Sequence, residues 1–312
     1  MRVGVSFPQS FCTGPAVTGR LLQYLERVDE LGFDSVWTQE QLLGRDPSLE
    51  PVNSLAFAAA ATSRARLGTA TIVAPLRGPV HLAKSLATID RLSEGRLIVG
   101  LSIGELQTIF DAAGVPLAER VSRLEEVVAA MRILWSDLHP SFEGRHWRFG
   151  PTAMEPKPAQ RAGPPIWLGA HARPAVERAA RLGDGWIGAG GSSIDEFAER
   201  AGWVEEALAA RDRDRSEFTI VKKLYVSIDR DADSAKERLA EWFTVHWPRE
   251  FDPVSMAARV GVSGTEDDLR KAVDRVADIG ADLVILNPVF DETEQLERFA
   301  SVVEDRLDAP TR

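Results

Sequence analysis

The chain has 312 residues, 44% hydrophobic and 27% charged, a globular composition that one large or two ordinary domains can satisfy. Its 37 basic and 47 acidic residues give a net charge of −10, which argues against nucleic acid or an anionic membrane as partner but allows a local basic site for a phosphate. The single cysteine, Cys12, excludes an intrachain disulfide and reads as a bystander thiol. No apolar stretch approaches the roughly 20 residues of a membrane span and no signal peptide precedes Arg2-Val-Gly-Val, so a soluble, cytoplasmic protein is expected.

Residues 2–7 predict a first strand, closed by Pro8. Leu21, Leu22, Leu25, Val28 and Leu31 recur at helical spacing, and Gly32 stops that helix. Residues 33–37 predict a second strand running into Thr38-Gln-Glu-Gln-Leu, and an Ala-rich helix follows over about 51–64. The stretch 67–102 is the most regular. A β-branched apolar run over 67–73 ends at Pro75, Leu82, Leu86, Ile89 and Leu92 mark a helix that Gly95 caps, and 97–101 is a second apolar run. Strand, helix and strand in that order make a βαβ unit, which requires a parallel sheet.

A helix is expected over about 118–135, with Val121, Leu124, Val127, Val128, Met131 and Leu134 on one face. Residues 136–164 break the rhythm with five prolines and no long periodic run, and are expected to form a functional excursion rather than a linker. Strand five (165–169), its helix (172–182) and strand six (185–188) follow. Then come a helix carrying Ile194, Phe197, Ala201 and Val204, strand seven (218–228), helices around 232–247 and 265–279, strand eight (282–287) and a closing helix over 292–306. Eight strand–helix steps predict a single-domain (β/α)8 TIM barrel with an insertion between strands four and five. Its chemistry is expected at the carboxyl ends of the strands.

The most readable site is Gly188-Ala-Gly-Gly-Ser-Ser-Ile-Asp-Glu. Glycines permit a tight turn, and the hydroxyls of Ser192 and Ser193 precede a helix start whose amides suit an anion. The competing reading is a flexible turn with a Ser-x-x-Asp cap. A second glycine turn, Leu168-Gly-Ala-His171, ends strand five in equivalent geometry and favours phosphate binding. None of the five histidines forms a His-x-His pair or an HExxH helix, so no metal site is expected. Glu40 and Gln41 end strand two inside the expected mouth, where an acid can transfer protons, bind substrate or simply cap the next loop. Of the eight tryptophans, Trp37, Trp167 and Trp186 lie on strands, where each ring either fills the core or walls a flat cofactor.

Six segments carry a resemblance to a known family: Gly32-Phe-Asp-Ser-Val-Trp; Arg66-Leu-Gly-Thr-Ala-Thr-Ile-Val-Ala-Pro-Leu-Arg-Gly-Pro-Val; Ala83-Lys-Ser-Leu-Ala-Thr-Ile-Asp-Arg-Leu-Ser-Glu-Gly-Arg-Leu-Ile-Val-Gly; Glu155-Pro-Lys-Pro-Ala-Gln; Pro165-Ile-Trp-Leu-Gly; and Gly183-Asp-Gly-Trp. With them the chain resembles the bacterial-luciferase-like flavin or deazaflavin oxidoreductases, most closely the members that use coenzyme F420. The resemblance implies hydride transfer between F420 and a small organic substrate in a homodimer. The alternatives are an FMN-dependent monooxygenase and a catalytically silent cofactor-binding barrel. It further implies a non-proline cis peptide in a bulge of strand three, by position Ala70–Thr71, backing the ring, with Trp37 beside it. Glu40, Gln41 and Ser102 would stand nearest the ring, as catalytic candidates in the case of Glu40 and Gln41. Gly169, Ala170, His171, Gly190, Gly191 and Ser192 would serve the cofactor phosphate. Two departures stand out. Many deazaflavin members carry Asp-His where this chain has Glu40-Gln41, and the family's Gly-x-Gly-Trp after strand four is altered to Leu101-Ser-Ile-Gly-Glu105. Glutamine cannot act as a general acid or base at neutral pH, so a proton step assigned to that histidine has no equivalent here.

Overall fold

The structure is a computed structural model that describes residues 1–10, 18–44, 47–246 and 252–307; Cys12 lies outside them. Its strands are β1 (Arg2–Ser6), β2 (Ser35–Thr38), β3 (Arg66–Thr69), β4 (Ile72–Val73), β5 (Leu97–Ser102), β6 (Phe142–Glu143), β7 (Arg148–Phe149), β8 (Ile166–Ala170), β9 (Gly185–Gly188), β10 (Thr219–Ile228), β11 (Gly261–Gly264) and β12 (Leu283–Pro288). Parallel pairing runs β1–β2–β3–β5–β8–β9–β10–β12 and returns from β12 to β1, so eight strands close into the expected barrel with helices outside.

Alternation along the strands divides the core in two. Val3, Val5, Val36 and Leu67 face the helices. Trp37, Ile98, Trp167, Ile187, Val221, Leu283 and Ile285 fill the barrel interior as a separate cluster, with the rings of Trp37 and Trp167 stacked at 5.5 Å. Two indoles fit inside so small a barrel only because neighbouring strands give up side chains there. A Cβ at Gly68 would lie 2.3 Å from the Trp37 ring, and one at Gly4 2.7 Å from its Nε1. All three strand tryptophans are core residues, at 1% (Trp37), 2% (Trp167) and 0% (Trp186) exposure, so Trp37 does not itself wall the mouth as expected.

Local features differ from the sequence reading, among them a helix over Gln107–Ala112. Strand three is not continuous over 67–73; it divides into β3 and β4 around the peptide Ala70–Thr71, which is cis, as the family resemblance implied. β11 is a further parallel strand outside the eight that close the barrel, pairing Tyr225–Ile228 of β10 beyond the point where β9 stops pairing. Only four residues long and with a single large apolar residue, Gly-Val-Ser-Gly gives little strand signal. The helix Pro253–Val260 before it was likewise unpredicted.

Residues 136–164 form one short antiparallel hairpin, β6–β7, and otherwise irregular chain. The segment packs against the helices Pro79–Leu92 and Arg120–Ser136. The Glu126 carboxylate accepts from the amides of Arg145, His146 and Trp147, and the His146 ring pairs with Ser122 Oγ at 2.8 Å. Gln160 Nε2 donates to Asp90 Oδ1 and to the Leu97 carbonyl, and Lys157 Nζ donates to the Leu134 carbonyl. These contacts tie the segment to both helices along its length.

Candidate active site

At the carboxyl ends of β3, β4, β5 and β8 the chain is built from small residues. A Cβ on Gly169 would sit 3.0 Å from Thr71 Cγ2 and 3.6 Å from Ser102 Cβ, so Thr71 and Ser102, expected near a ring, meet Gly169, expected at the phosphate end, on neighbouring strands. Val73 of β4 pairs with Ser102 of β5, and Ala70 packs on the interior cluster that holds Trp37. Trp37 therefore lies beneath this shelf as its floor, its Nε1 donating to Ser35 Oγ at 2.8 Å. Below the bulge, Thr69 Oγ1 donates to the Gly100 carbonyl at 2.7 Å and accepts the Gly100 amide at 2.9 Å, which locks β3 to β5.

Glu40 is close to the shelf but is not a free acid. Its side chain is 2% exposed and accepts hydrogen bonds from the Val73 amide and the Arg77 guanidinium, which also reaches Glu50. Burial pushes its carboxyl above the ordinary value, while Arg77 and the Val73 N–H pull the other way. Both carboxylate oxygens are engaged in tying the end of β2 to the segment after the bulge. Gln41 lies on the following loop, its side-chain amide against Gly44. Gln39, just before Glu40, accepts a hydrogen bond from Lys223 Nζ inside the barrel.

The two glycine turns lie side by side, since β8 pairs with β9 up to Ala170 and Gly188. His171 is exposed just beyond the first turn. In the second, Gly190 approaches Tyr225 so closely that a Cβ would be 3.0 Å from its ring. Ser192 does not present its hydroxyl to solvent: it is 2% exposed and donates to the Ala189 carbonyl at 2.6 Å. The buried Lys222 ammonium lies behind the turn, donating to the carbonyls of Ala189 (3.2 Å) and Ser192 (2.5 Å) and to Ser192 Oγ (3.1 Å). The cap of the helix Ile194–Ala209 is one residue later than the Ser-x-x-Asp reading. Ser193 and Glu196 form a reciprocal capping box, and Arg259 donates to Glu196 Oε1 (3.1 Å) and the Gly191 carbonyl (3.0 Å).

Sequence reasoning missed Lys222, Lys223, Gln39 and Arg77. A signal existed for the lysines: two adjacent cations interrupt the otherwise apolar run Ile220-Val-Lys-Lys-Leu-Tyr-Val226. Alternation sends Lys222 outward under the turn and Lys223, two residues past Val221 of the interior cluster, into the barrel. Burial pushes each ammonium down to about 7. Among the described residues, no group of three His, Cys, Asp or Glu could hold a metal ion, and no helix is long and apolar enough to cross a membrane.

Known proteins resemble the chain over nearly its whole length. The chain is 28% identical to an F420-dependent glucose-6-phosphate dehydrogenase of Kineococcus radiotolerans, over 91% of this chain and 92% of that one. The monooxygenase RslO1 of Streptomyces bottropensis superposes with a TM-score of 0.82 at 26% identity, covering 98% of this chain and 99% of that one. An F420-dependent secondary alcohol dehydrogenase, solved with an F420–acetone adduct, shares the fold with a TM-score of 0.84 at 19% identity, covering 98% of each chain. Residues 1–283 match the sequence profile of the luciferase-like monooxygenases, and the chain belongs to that family of flavin- and deazaflavin-type barrel oxidoreductases.

Proposed function

We propose that this chain is an F420-dependent oxidoreductase that moves hydride between the deazaflavin and a small organic substrate. The observation that carries this reading is the shelf made by Thr71, Ser102 and Gly169, where small residues from adjacent strand ends meet beside the bulge. The residues present fit such a group. Ala70 and Thr71 would back the ring, Ser102 and Gly169 border it, and the turns at Gly169–His171 and Gly190–Ser192 receive the phosphate end. When bound, the cofactor supplies the hydride chemistry, while the protein positions it and excludes water. Glu40 acts here as the brace that holds Val73 and the bulge, Gln41 stays outside the reaction, and Trp37 supports the shelf from below. The relation to an F420-dependent dehydrogenase over nine-tenths of both chains supports this choice of cofactor.

A second reading, an FMN-dependent monooxygenase, is favoured by the likeness to the monooxygenase RslO1. Titrating the purified protein with F420 and, separately, FMN, with fluorescence as the readout, decides between them. Selective low-micromolar F420 binding is expected. Selective FMN binding would move the protein to the monooxygenase reading, and binding of neither would remove both. F420 binding without turnover of any substrate would leave a silent cofactor carrier.

The protein is further read as a cytoplasmic homodimer that pairs through the helices beside β2 and β3. The exposed apolar side chains of Leu42, Leu43 and Val80 on that flank support the pairing. Light scattering should return twice the 34.2 kDa chain mass; a monomer at micromolar concentration would reject it.

A further inference from the structure

Lys223 has no role in the site described so far. It is 5% exposed, and its Nζ donates to Gln39 Oε1 and lies 5.2 Å from the centroid of the Tyr225 ring. An ammonium has three donors and no acceptor. Among the described residues no carboxylate pairs with it, and burial alone accounts for its lowered proton affinity. A buried cation without a counter-ion is costly, and an anionic ligand would supply one.

The surrounding groups point the same way. Gln39 is held from behind: its amide N–H donates to Gln9 Oε1 at 2.7 Å, and Gln9 Nε2 donates to the Gln39 carbonyl at 2.6 Å. With its oxygen turned to the ammonium, the Gln39 side chain offers its NH2 group as a further donor. Ser6, on the inward face of β1 two residues past Gly4, has a buried hydroxyl with no hydrogen-bond partner among the described residues. β12 pairs with both β1 and β10, so these donors gather on the β10–β12–β1–β2 side of the mouth. The small-residue shelf occupies the other side, on β3, β4, β5 and β8.

We propose that Lys223, Gln39 and Ser6 form a substrate recess that binds the carboxylate of an organic acid. This rests on the oxidoreductase reading, which assigns the shelf to the cofactor and leaves this side for the substrate. A single ammonium flanked by neutral donors matches a planar monoanion, because charge-assisted hydrogen bonds to both oxygens satisfy the lysine and its neighbours together. A neutral ketone leaves the charge uncompensated, and a phosphate dianion carries more charge than one lysine balances.

Calorimetric titration of the full chain with benzoate, acetophenone and inorganic phosphate tests this, using wild type, Lys223→Met and Lys223→Arg. Saturable benzoate binding is expected in wild type, at least tenfold weaker in Lys223→Met and within about threefold of wild type in Lys223→Arg. Acetophenone and phosphate should show no comparable binding. F420 affinity, measured in parallel, should be the same in wild type and Lys223→Met. The proposal is overturned if benzoate does not bind wild type, if it binds Lys223→Met as well as wild type, or if acetophenone or phosphate binds equally. A parallel loss of F420 affinity in Lys223→Met would also overturn it, by making the lysine a cofactor contact. Lysine-dependent benzoate binding in a protein that binds no F420 would uphold the recess and remove only the cofactor reading. If Lys223→Met does not fold, Lys223→Gln carries the same comparison.

Discussion

Gly100→Ala is expected to destabilise the protein by about 3 kcal/mol or more, at the upper end of what overpacking usually costs. An ideal Cβ there would lie 1.8 Å from the Thr69 carbonyl oxygen and 2.9 Å from Ile187 Cδ1. A flexible side chain can move aside; the Thr69 carbonyl cannot, because β3 is held there by the paired hydrogen bonds between Thr69 Oγ1 and the Gly100 backbone. Relief requires separating β3 from β5 just below the bulge, so cofactor affinity should fall along with stability. Differential scanning calorimetry should register a Tm lower by about 6 °C or more. A variant melting within 2 °C of wild type would show that the two strands part easily, and the account of a rigid shelf would fail.

Arg77→Met is expected to cost about 3–5 kcal/mol, the range for removing one partner of a buried ion pair. Glu40, with a side chain 2% exposed, would keep its hydrogen bond to the Val73 amide and lose its counter-ion. Burial already raises the Glu40 carboxyl above its ordinary value against the pull of Arg77, and without the guanidinium it rises further. For an acid whose folded-state value is raised, the relative stability is fully present below the unfolded value of about 4.3 and is lost as pH climbs through the folded one. Urea unfolding should therefore find Arg77→Met closer to wild type at pH 5 than at pH 8. Adding Glu40→Gln should recover much of the loss at pH 8, since the uncompensated charge is gone. Equal losses at both pH values, or no recovery in the double variant, would mean that the pair contributes through packing alone.

The barrel was legible along the chain because a parallel strand buried on both faces must be an apolar run, and each run here is followed by a helical stripe and a stop. The segment 67–102 shows this at every step: apolar run, Pro79 in the first helical turn, Leu82-Leu86-Ile89 stripe, Gly95 and a second run. The break at Ala70–Thr71 was legible only through family resemblance, since nothing in Thr69-Ala-Thr-Ile announces a bulge. β11 escaped because four residues paired to the end of a long neighbour need no apolar pattern of their own.

The candidate site divides in the same way. Residue type and position at strand ends brought Thr71, Ser102, Gly169 and the two glycine turns to notice. They could not tell which way a side chain turns. Glu40 stood out as an acid in the mouth, yet it is spent on Arg77 and Val73, partners 37 and 33 residues away. Ser192 appeared to face a ligand and instead faces Lys222, because the turn folds back over β10. Periodicity and turn chemistry are local, so the sequence by itself determined the alternation of strand and helix and the closed barrel. Which polar groups are already satisfied and which are left over depends on contacts between distant strands, so only the tertiary structure decided that Glu40 is a brace, that Trp37 is a floor, and that Lys223 sits inside the mouth without a counter-ion among the described residues.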